Sequence, residues 1–430
     1  GCTGRLGGRM LALLACCAGL LIGAPVAGAA GHGSAAAGAP APPRLEVTGA
    51  ALYAPGTGQL LYGINPNRRL AIASTTKLMT ALITLRHVHH LDRIFTQNDW
   101  DPAADDSQIG LVPGERMSVH DLLLALMLPS ADDAAEDLAY NVGHHSVARF
   151  IAMMNAEASR LGLRNTHYTT PIGLDTPGNW STASDLVRLA AYDLSHSRFF
   201  ARVVALPGAV LHTGRVVRSV TNRNDLVREY PWIDGVKTGH TSDAGYVLVA
   251  AGHRHGMTLI SAVLGTDSEQ SRDVNALALL NYGFDDFRVW TPVRAHQVLA
   301  RPTVRDRPGV HATLVAGRGF ERVLVRRSRV HVLVHAPRQL AGPKRAGTVV
   351  GTAEVLDGRR VLARIPLLLA HRLRAVSGLT LAARFVTRPL TLLGMAALVA
   401  ALGLGGLQLR RTRRRRRRAS DRPGGELEVA

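Results

Sequence analysis

Cysteine is scarce in this chain of 430 residues, and it is confined to one end. The three cysteines are Cys2, Cys16 and Cys17. If that segment is removed, no thiol remains, which excludes a disulfide framework, a cysteine zinc site and a cysteine nucleophile. Aromatic residues make up only 5%, but 47% of the chain is hydrophobic, which is enough for one or two ordinary cores.

Lysine is as rare as cysteine. Of 51 basic residues only Lys77, Lys237 and Lys344 are lysine, and all the others are arginine. Arginine cannot be deprotonated in a protein, whereas a lysine amine can, especially when it is buried. The positions that keep lysine are therefore candidates for base chemistry.

The net charge of +19 is unevenly distributed. Residues 291–380 hold seventeen basic side chains against four acidic ones, and nine arginines lie within residues 410–430. Residues 30–290 carry a small net negative charge by contrast. The surplus is thus a property of the C-terminal part, and by itself it would suggest a nucleic-acid partner.

Both ends of the chain resemble targeting segments. Arg5 and Arg9 precede an apolar run over residues 10–27 that ends in a small-residue A-x-A site, which predicts a signal peptide over residues 1–29. A permanent signal anchor is the alternative. Residues 389–407 contain no charge and are followed by an arginine run, which predicts a single membrane span with a cytoplasmic tail at 408–430.

A buried core helix is the alternative for residues 389–407, but an arginine run directly after a core helix is hard to explain. Between a secretion signal and a membrane span, the arginine run does not indicate nucleic-acid binding. We therefore expect a cell-membrane protein without a nucleic-acid partner, whose main domain is extracytoplasmic and whose C-terminus is cytoplasmic.

Residues 30–44 are rich in Ala, Gly and Pro and predict a flexible linker. Residues 45–288 predict a mixed α/β domain, because strand patterns at 50–62, 245–251 and 259–265 flank a block of helical patterns that begins at Ser74.

Residues 289–375 predict a small basic β-rich domain with two hairpins, one turning at residues 326–328 and one at Asp357-Gly358. Its charge fits contact with anionic envelope polymer or lipid headgroups, or a solvated arginine-rich surface.

Two of the three lysines lie in motifs that suit attack on a carbonyl. Ser74 and Lys77 are three residues apart at a helix start, so the amine can lie beside the hydroxyl, and a serine nucleophile needs such an adjacent base. Lys237, Thr238 and Gly239 follow one another on a predicted strand. The first two offer a cation and a hydroxyl to a carboxylate, and Gly239 lets a substrate backbone approach.

A family resemblance now becomes visible. Ser74-x-x-Lys77, Ser130-Ala131-Asp132 and Lys237-Thr238-Gly239 match, in order and spacing, the three motifs of penicillin-binding proteins and serine β-lactamases. The surrounding segments at 58–62, 111–115, 161–166, 173–175 and 234–246 resemble the D-alanyl-D-alanine carboxypeptidases, the low-mass penicillin-binding proteins. This likeness covers residues 45–288 and, more loosely, the β-rich domain.

The resemblance implies a β-lactamase/transpeptidase-like α/β domain, with a sheet flanked by helices and a helical subdomain, followed by a small all-β domain and a C-terminal transmembrane helix. It implies that the substrate is a peptidoglycan stem peptide ending in D-Ala-D-Ala and that β-lactams acylate the enzyme. No cofactor or metal is implied.

The resemblance also implies a role for each site residue. Ser74 forms the acyl-enzyme, Lys77 takes its proton, and Ser130 relays a proton to the departing D-alanine. The remaining residues bind substrate, through the terminal carboxylate or through an oxyanion hole that includes the backbone N–H groups of Ser74 and His240; they are Asp132, Lys237, Thr238, Gly239, His240 and Arg272.

One motif position departs from the family. Asp132 stands where the family usually has Asn, and a carboxylate there would favour Lys77 as ammonium and make it a poorer base. An alternative register makes Asp133 the matching acid.

Two other classes of function are alternatives to this one. A serine β-lactamase needs a second base, and although Glu157 lies between the motifs, no Glu-x-x-x-Asn loop is evident. A non-catalytic cell-wall-binding homologue would fit Asp132 and the basic β-rich domain. The histidines at 87–90 and 144–145 lack the carboxylate or cysteine partners of a metal site. We predict a serine D,D-carboxypeptidase.

Overall fold

The structure, a computed structural model, describes residues 41–103, 106–378, 382, 385–386 and 389–420. The predicted signal peptide at 1–29 lies outside the described residues, as do the first part of the predicted linker and the end of the predicted tail.

The first part of the described chain alternates short strands with helices. Its strands are β1 (Gly49–Ala54), β2 (Gln59–Ile64), β3 (Ile94–Thr96), β4 (Arg116–Ser118), β5 (Gly208–Leu211), β6 (Arg218–Thr221), β7 (Ile233–Thr241), β8 (Gly245–Arg254) and β9 (Met257–Thr266). Its helices are α1 (Lys77–His87), α2 (Val119–Met127), α3 (Asp132–Val142), α4 (Val147–Arg160), α5 (Ala183–His196), α6 (Arg198–Val204), α7 (Leu226–Glu229) and α8 (Glu269–Asp286).

A five-stranded antiparallel sheet in the order β2-β1-β9-β8-β7 forms the centre of this α/β domain. Alternate side chains along β8 enter two different cores: Val247 and Val249 pack toward the helical block, and Leu248 and Ala250 pack toward α8. Because successive side chains on a strand point to opposite faces, a sheet buried on both faces needs an uninterrupted apolar run. This arrangement confirms the predicted mixed α/β domain with helices on both faces.

Five of the helices start at a hydroxyl side chain that accepts a hydrogen bond from a backbone N–H three residues later; these caps are Ser118, Ser146, Thr182, Ser197 and Ser268. Such caps satisfy one of the free N–H groups in the first helical turn, so they fix where each helix begins. The cap at Ser118 starts α2, which leads through Ser130 into α3 and so determines where the second motif lies.

The chain from Phe287 onward is β-rich. Its strands are β10 (Phe287–Val293), β11 (Val298–Ala300), β12 (Thr303–Val304), β13 (Arg307–His311), β14 (Leu314–Ala316), β15 (Phe320–Val325), β16 (Val330–His335), β17 (Gln339–Leu340), β18 (Val349–Asp357) and β19 (Arg360–Leu369). A separate apolar core that includes Leu314, Val355 and Ile365 lies among them. The predicted hairpin at Asp357-Gly358 is confirmed, because β18 and β19 pair up to Asp357 and Arg360.

The other predicted hairpin is wrong. Strands β15 and β16 do not pair with each other: β15 pairs with β10, and β16 pairs with β18. Val323 of β15 is buried in the core beneath α8, and Arg326 donates hydrogen bonds to the carbonyl oxygens of Phe284 and Asp285 at the end of α8. These contacts hold β15 against the α/β domain, so the turn at residues 326–328 joins two different sheets.

The last described helix, α9 (Pro389–Ser420), includes the predicted membrane span. An 18-residue stretch within residues 389–416 has a mean hydropathy of 2.1, and none of that stretch is buried. Large apolar side chains such as Leu390 and Val399 are exposed. By length and composition it is a candidate membrane helix, and it is not the buried core helix that the sequence left as an alternative.

A carboxyl group without partners lies inside the helical block. Asp193 of α5 is 2% exposed, and neither of its carboxylate oxygens has a hydrogen-bond partner among the described residues. Burial raises the pKa of Asp193 well above its ordinary value, and the charge of Glu157 raises it further. The folded protein therefore favours the neutral acid at this position.

Replacing Asp193 with asparagine is expected to raise the free energy of unfolding near neutral pH, by about 1–3 kcal/mol, because the wild-type group must lose either its charge or its hydration. A carboxyl whose pKa rises on folding costs no stability below its unfolded pKa of about 3.9, and its cost grows as the pH rises above that value. The stabilisation should therefore be small at about pH 4 and larger at about pH 7.

Thermal unfolding of the detergent-solubilised protein measures this difference. Asp92→Asn, at an exposed position of the described chain, is the matched control and should not change the stability. An Asp193→Asn protein that unfolds at or below the wild-type temperature at neutral pH contradicts the prediction.

Candidate active site

Ser74 lies on a tight 3-10 turn (Ala73–Thr76) that leads directly into α1. The residue before it, Ala73, has a φ of +47°, a left-handed conformation that most side chains avoid. Two glycines lie against this turn. A Cβ atom at Gly173 would lie 2.0 Å from the carbonyl oxygen of Ala73, and one at Gly239 would lie 2.9 Å from the backbone nitrogen of Ser74.

Gly239 therefore has a structural role that the sequence did not indicate. We expected it to admit a substrate backbone, but its missing side chain also lets β7 approach the turn of Ser74 directly. The backbones of the third motif and the first motif therefore lie next to each other.

The amine of Lys77 is fully buried at the centre of the site. Its Nζ atom lies 2.8 Å from Ser74 Oγ, 2.5 Å from Asp132 Oδ1 and 2.9 Å from the carbonyl oxygen of Ile172. Three separate segments of the chain thus meet at one nitrogen atom, and the hydroxyl of Ser74 is within hydrogen-bond reach of a base.

Opposing effects act on the pKa of Lys77. Burial lowers it most, the neighbouring carboxylate of Asp132 raises it, Arg223 lowers it, and Asp106 raises it. The net effect is a pKa below the ordinary lysine value. Since a neutral amine is needed to accept the serine proton, the desolvation favours the base and Asp132 opposes it.

Asp132 and Asp133 have different partners, which decides the register of the second motif. Asp132 contacts Lys77 through Oδ1 and accepts the backbone N–H of Ser107 at Oδ2, 3.0 Å away. Asp133 accepts the backbone N–H groups of Ile109 (3.1 Å) and Leu111 (2.9 Å). Asp132 is therefore the residue that faces the lysine, and the alternative with Asp133 in that place is wrong.

Ser130 lies in the connection between α2 and α3, two residues before Asp132. Its φ is +67°, and its Oγ atom is buried without a hydrogen-bond partner in the described part of the chain. A serine held in a left-handed conformation is uncommon, and such strain is concentrated at functional sites. Its hydroxyl proton is not engaged by the described residues.

Lys237 and Thr238 lie on β7, one of the two edge strands of the central sheet. Both are buried, and Lys237 Nζ donates to the carbonyl oxygen of Thr238 at 2.9 Å. Burial lowers the pKa of Lys237 well below its ordinary value; Lys77, Arg223 and, more weakly, Arg272 lower it further, and Asp132 opposes them. The lysines of the two motifs therefore lie within electrostatic reach of each other.

Arg272 is in place but engaged. It is 2% exposed on α8, and its guanidinium pairs with Asp273 at 2.9 Å and with Glu269 at 3.4 Å. Its charge contributes weakly to lowering the pKa of Lys237. His240, by contrast, is exposed, and its ring lies 4.0 Å from that of Tyr246.

Sequence reasoning missed two contributors. The charge of Arg223 acts on both Lys77 and Lys237, and its backbone N–H donates to Leu128 at 3.1 Å. In a chain where nearly every cation is arginine, no pattern distinguishes this one. Ser107 donates a hydrogen bond to Asp132 through its backbone N–H group, so its side-chain type does not indicate this role.

Among the described residues, no group of three or more His, Cys, Asp or Glu side chains is arranged to hold a metal ion. His87 is the last residue of α1, and His89 and His90 follow it, so these histidines lie at the other end of the helix from Ser74. His144 and His145 lie in the turn after α3, where both have positive φ values.

The sequence profile of the D-alanyl-D-alanine carboxypeptidases matches residues 36–268. The chain belongs to this family. The D-alanyl-D-alanine carboxypeptidase of Streptomyces sp. strain K15 is 35% identical over 261 residues, which are 56% of this chain and 88% of that protein.

Two crystal structures show the same fold. Penicillin binding protein 5 from Haemophilus influenzae has a TM-score of 0.64 at 27% identity and covers 77% of this chain and 98% of its own. The DD-transpeptidase of Streptomyces K15 has a TM-score of 0.54 at 34% identity and covers 57% of this chain and 99% of its own. The predicted family and fold are confirmed, and so is the predicted class of enzyme, a serine-type D-alanyl-D-alanine carboxypeptidase.

In this D-alanyl-D-alanine carboxypeptidase family member, the contact between Asp132 and Lys77 should affect the pH dependence of acylation. Asp132→Asn keeps the shape of the side chain and removes the charge that raises the pKa of Lys77. The amine should then become neutral at lower pH, so the rising limb of the acylation profile should move to lower pH.

Rates of acylation by a fluorescent penicillin across about pH 5 to 10 measure the shift, a range that brackets the values of about 7 to 8 typical of tuned lysine bases. Asp133→Asn is not a suitable control, because Asp133 holds the backbone of residues 109–111. Asp92→Asn, which is exposed, should leave the profile in place. Identical profiles for Asp132→Asn and the wild type would show that Asp132 does not set the charge of Lys77.

Proposed function

We propose that this protein removes the terminal D-alanine from peptidoglycan stem peptides through an acyl-enzyme on Ser74, and that penicillins acylate the same serine. One observation carries the proposal: the buried amine of Lys77 lies 2.8 Å from Ser74 Oγ in a member of the D-alanyl-D-alanine carboxypeptidase family. Family membership favours this function over a β-lactamase or a non-catalytic binding protein.

The contacts of the site support a two-step reaction. Lys77 takes the proton of Ser74, whose Oγ bonds to the carbonyl carbon of the penultimate D-alanine. As the C–N bond breaks, Ser130 passes a proton to the amino group of the departing D-alanine, and Ser130 regains one from Lys77. A water molecule then attacks the ester carbonyl and Lys77 accepts its proton; as the ester C–O bond breaks, Lys77 returns that proton to Ser74 Oγ, which releases the shortened peptide and restores the serine hydroxyl.

The substrate would lie along the open edge of β7. The backbone N–H groups of Ser74 and His240 would stabilise the oxyanion, an effect of several kcal/mol in comparable sites, roughly 3–4 kcal/mol per donor. The positive charges of Arg223 and Arg272 act on Lys237, so this end of the cleft suits the terminal carboxylate of the peptide, which would in turn favour the charged form of Lys237. Thr238 would supply a hydroxyl donor beside them.

We further propose that α9 anchors the protein in the cell membrane as a single span. In this arrangement the signal peptide at residues 1–29 directs export, residues 45–288 form the extracytoplasmic catalytic domain, and the β-rich domain at 289–375 connects it to the helix. The exposed apolar side chains in the first part of α9 support insertion in lipid, and the arginine run in its last part supports a cytoplasmic C-terminus.

Ser74 is expected to be the single acylated residue. Intact-mass analysis after incubation with penicillin should show one adduct on the wild-type protein, and Ser74→Ala should show none, because among the described residues only Ser74 places a hydroxyl within hydrogen-bond distance of the Lys77 amine. Digestion and mass spectrometry would locate the adduct. An adduct that persists in Ser74→Ala would refute the assignment.

The membrane orientation is tested with tags at two positions. A protease added to intact cells should leave a tag after Ala430 intact, since the arginine run holds that end inside, and should remove a tag inserted at Gly358, in the exposed turn between β18 and β19. Cleavage of the C-terminal tag in cells with an intact membrane would contradict the proposed orientation.

A further inference from the structure

Five exposed arginines lie on three short segments of the β-rich domain, residues 303–307, 338–345 and 371–375. We term them the distal basic patch; they are Arg305, Arg338, Arg345, Arg372 and Arg374. The three segments together hold seven basic side chains and one acidic side chain, Asp306, which is a net charge of +6. The other acidic residues of the domain lie outside these segments, and one of them, Glu354, already pairs with Arg364 at 2.8 Å.

Hydrogen bonds bring the three segments together. Strand β12 pairs in parallel with β17, and the backbone N–H of Arg305 donates to the carbonyl oxygen of Leu340 at 2.7 Å. Lys344 and Leu373 exchange two backbone hydrogen bonds, of 3.1 and 2.9 Å. The guanidinium of Arg307 donates to the carbonyl oxygen of Ala375 at 2.8 Å. The distal basic patch is therefore one region of the folded domain.

The patch lies at one end of the β18–β19 hairpin, and the catalytic domain lies at the other. At the turn of the hairpin, Gly358 donates its backbone N–H to the carbonyl oxygen of Arg329 at 3.1 Å, three residues after Arg326, which binds the end of α8. At the open end, Gly347 donates to the carbonyl oxygen of Leu369 at 2.8 Å. Strand β18 has nine residues, so the two ends lie about 30 Å apart.

The chain leaves the β-rich domain at this same end. Arg372 and Arg374 come directly before the connection of residues 376–388, which leads to the start of α9 at Pro389. The patch is thus the part of the domain from which the chain continues to the proposed membrane span. The inference drawn from it rests on the proposed anchoring of α9.

An exposed apolar side chain accompanies the charges. Val349, the first residue of β18, is 61% exposed, and Thr348 before it donates its backbone N–H to the carbonyl oxygen of Arg345 at 3.3 Å. The headgroup region of a bilayer offers phosphate charges and apolar contact together, whereas a soluble anionic polymer offers the charges alone. The combination favours a lipid surface.

We propose that the distal basic patch binds the phosphate headgroups of anionic phospholipids in the membrane that holds α9. Each arginine can donate two parallel hydrogen bonds to one phosphate group. The contact would hold the β-rich domain at the membrane surface, together with the catalytic domain that packs against β15.

Single-cysteine versions of the full chain, with Cys2, Cys16 and Cys17 changed to serine, measure the contact. A fluorophore at Ala346→Cys reports on the patch, and one at Val361→Cys reports on the opposite end of the hairpin; both positions are exposed. The protein is inserted in vesicles of phosphatidylcholine with or without phosphatidylglycerol. A lipid with a spin label on its headgroup quenches any fluorophore that reaches the surface.

Quenching at position 346 should require phosphatidylglycerol and should disappear at about 1 M salt, where the Debye length is about 3 Å. The probe at position 361 should stay unquenched. At the salt concentration that quenches half of the probe at position 346, Arg345→Gln/Arg372→Gln should lower the ratio of docked to undocked protein about 25-fold, which is about fivefold for each arginine removed.

Arg359→Gln/Arg360→Gln removes two exposed arginines from the far end of the same hairpin and is the matched control, so it should keep the ratio. An equal loss in this control, or equal quenching without phosphatidylglycerol, overturns the inference. Binding of soluble polyphosphate without quenching on anionic vesicles does the same and assigns the patch to a polymer. Cosedimentation with both kinds of vesicle and a penicillin adduct on Ser74 show that the proposed anchoring and activity stand even when the contact fails.

Discussion

The buried amine of Lys77 is the point on which the rest of the site depends. A free charged amine inside a protein is costly, so its position requires the carboxylate of Asp132, the hydroxyl of Ser74 and the carbonyl of Ile172 around it. These partners come from the serine turn, α3 and the loop before Gly173. The packing of the two apolar cores against the central sheet brings these three segments together. Their hydrogen bonds to Lys77 Nζ then fix the distances between them.

Much of the site and fold was predictable because the signals are local. The spacing of Ser74 and Lys77 needs only one turn of helix, and the hairpin of β18 and β19 needs only a two-residue turn between β patterns. The pairing of β15 was not predictable in this way, since it depends on Val323 and Arg326 meeting the end of α8. Tertiary contacts override the local turn signal there.

In the second motif, the direction of single side chains also could not be predicted from the sequence alone. Adjacent residues on a helix point in directions about 100° apart, so Asp132 and Asp133 cannot both face the lysine, and the sequence does not say which one does. The backbone groups of residues 107–111 decide it, because they supply N–H donors to both carboxylates. Likewise Arg223 is recognisable only from the folded arrangement of charges.

Gly239 meets the turn of Ser74 mainly through backbone atoms, and the one side-chain atom close to it is the Cβ of Ala73, which cannot rotate away. Side chains can change rotamer, whereas a backbone contact between a sheet strand and a tight turn has almost no freedom to adjust. The width of the cleft at the reacting carbonyl is therefore a fixed dimension of the scaffold. Residues at the rim can be exchanged to suit different peptides without altering the distance over which the serine must act.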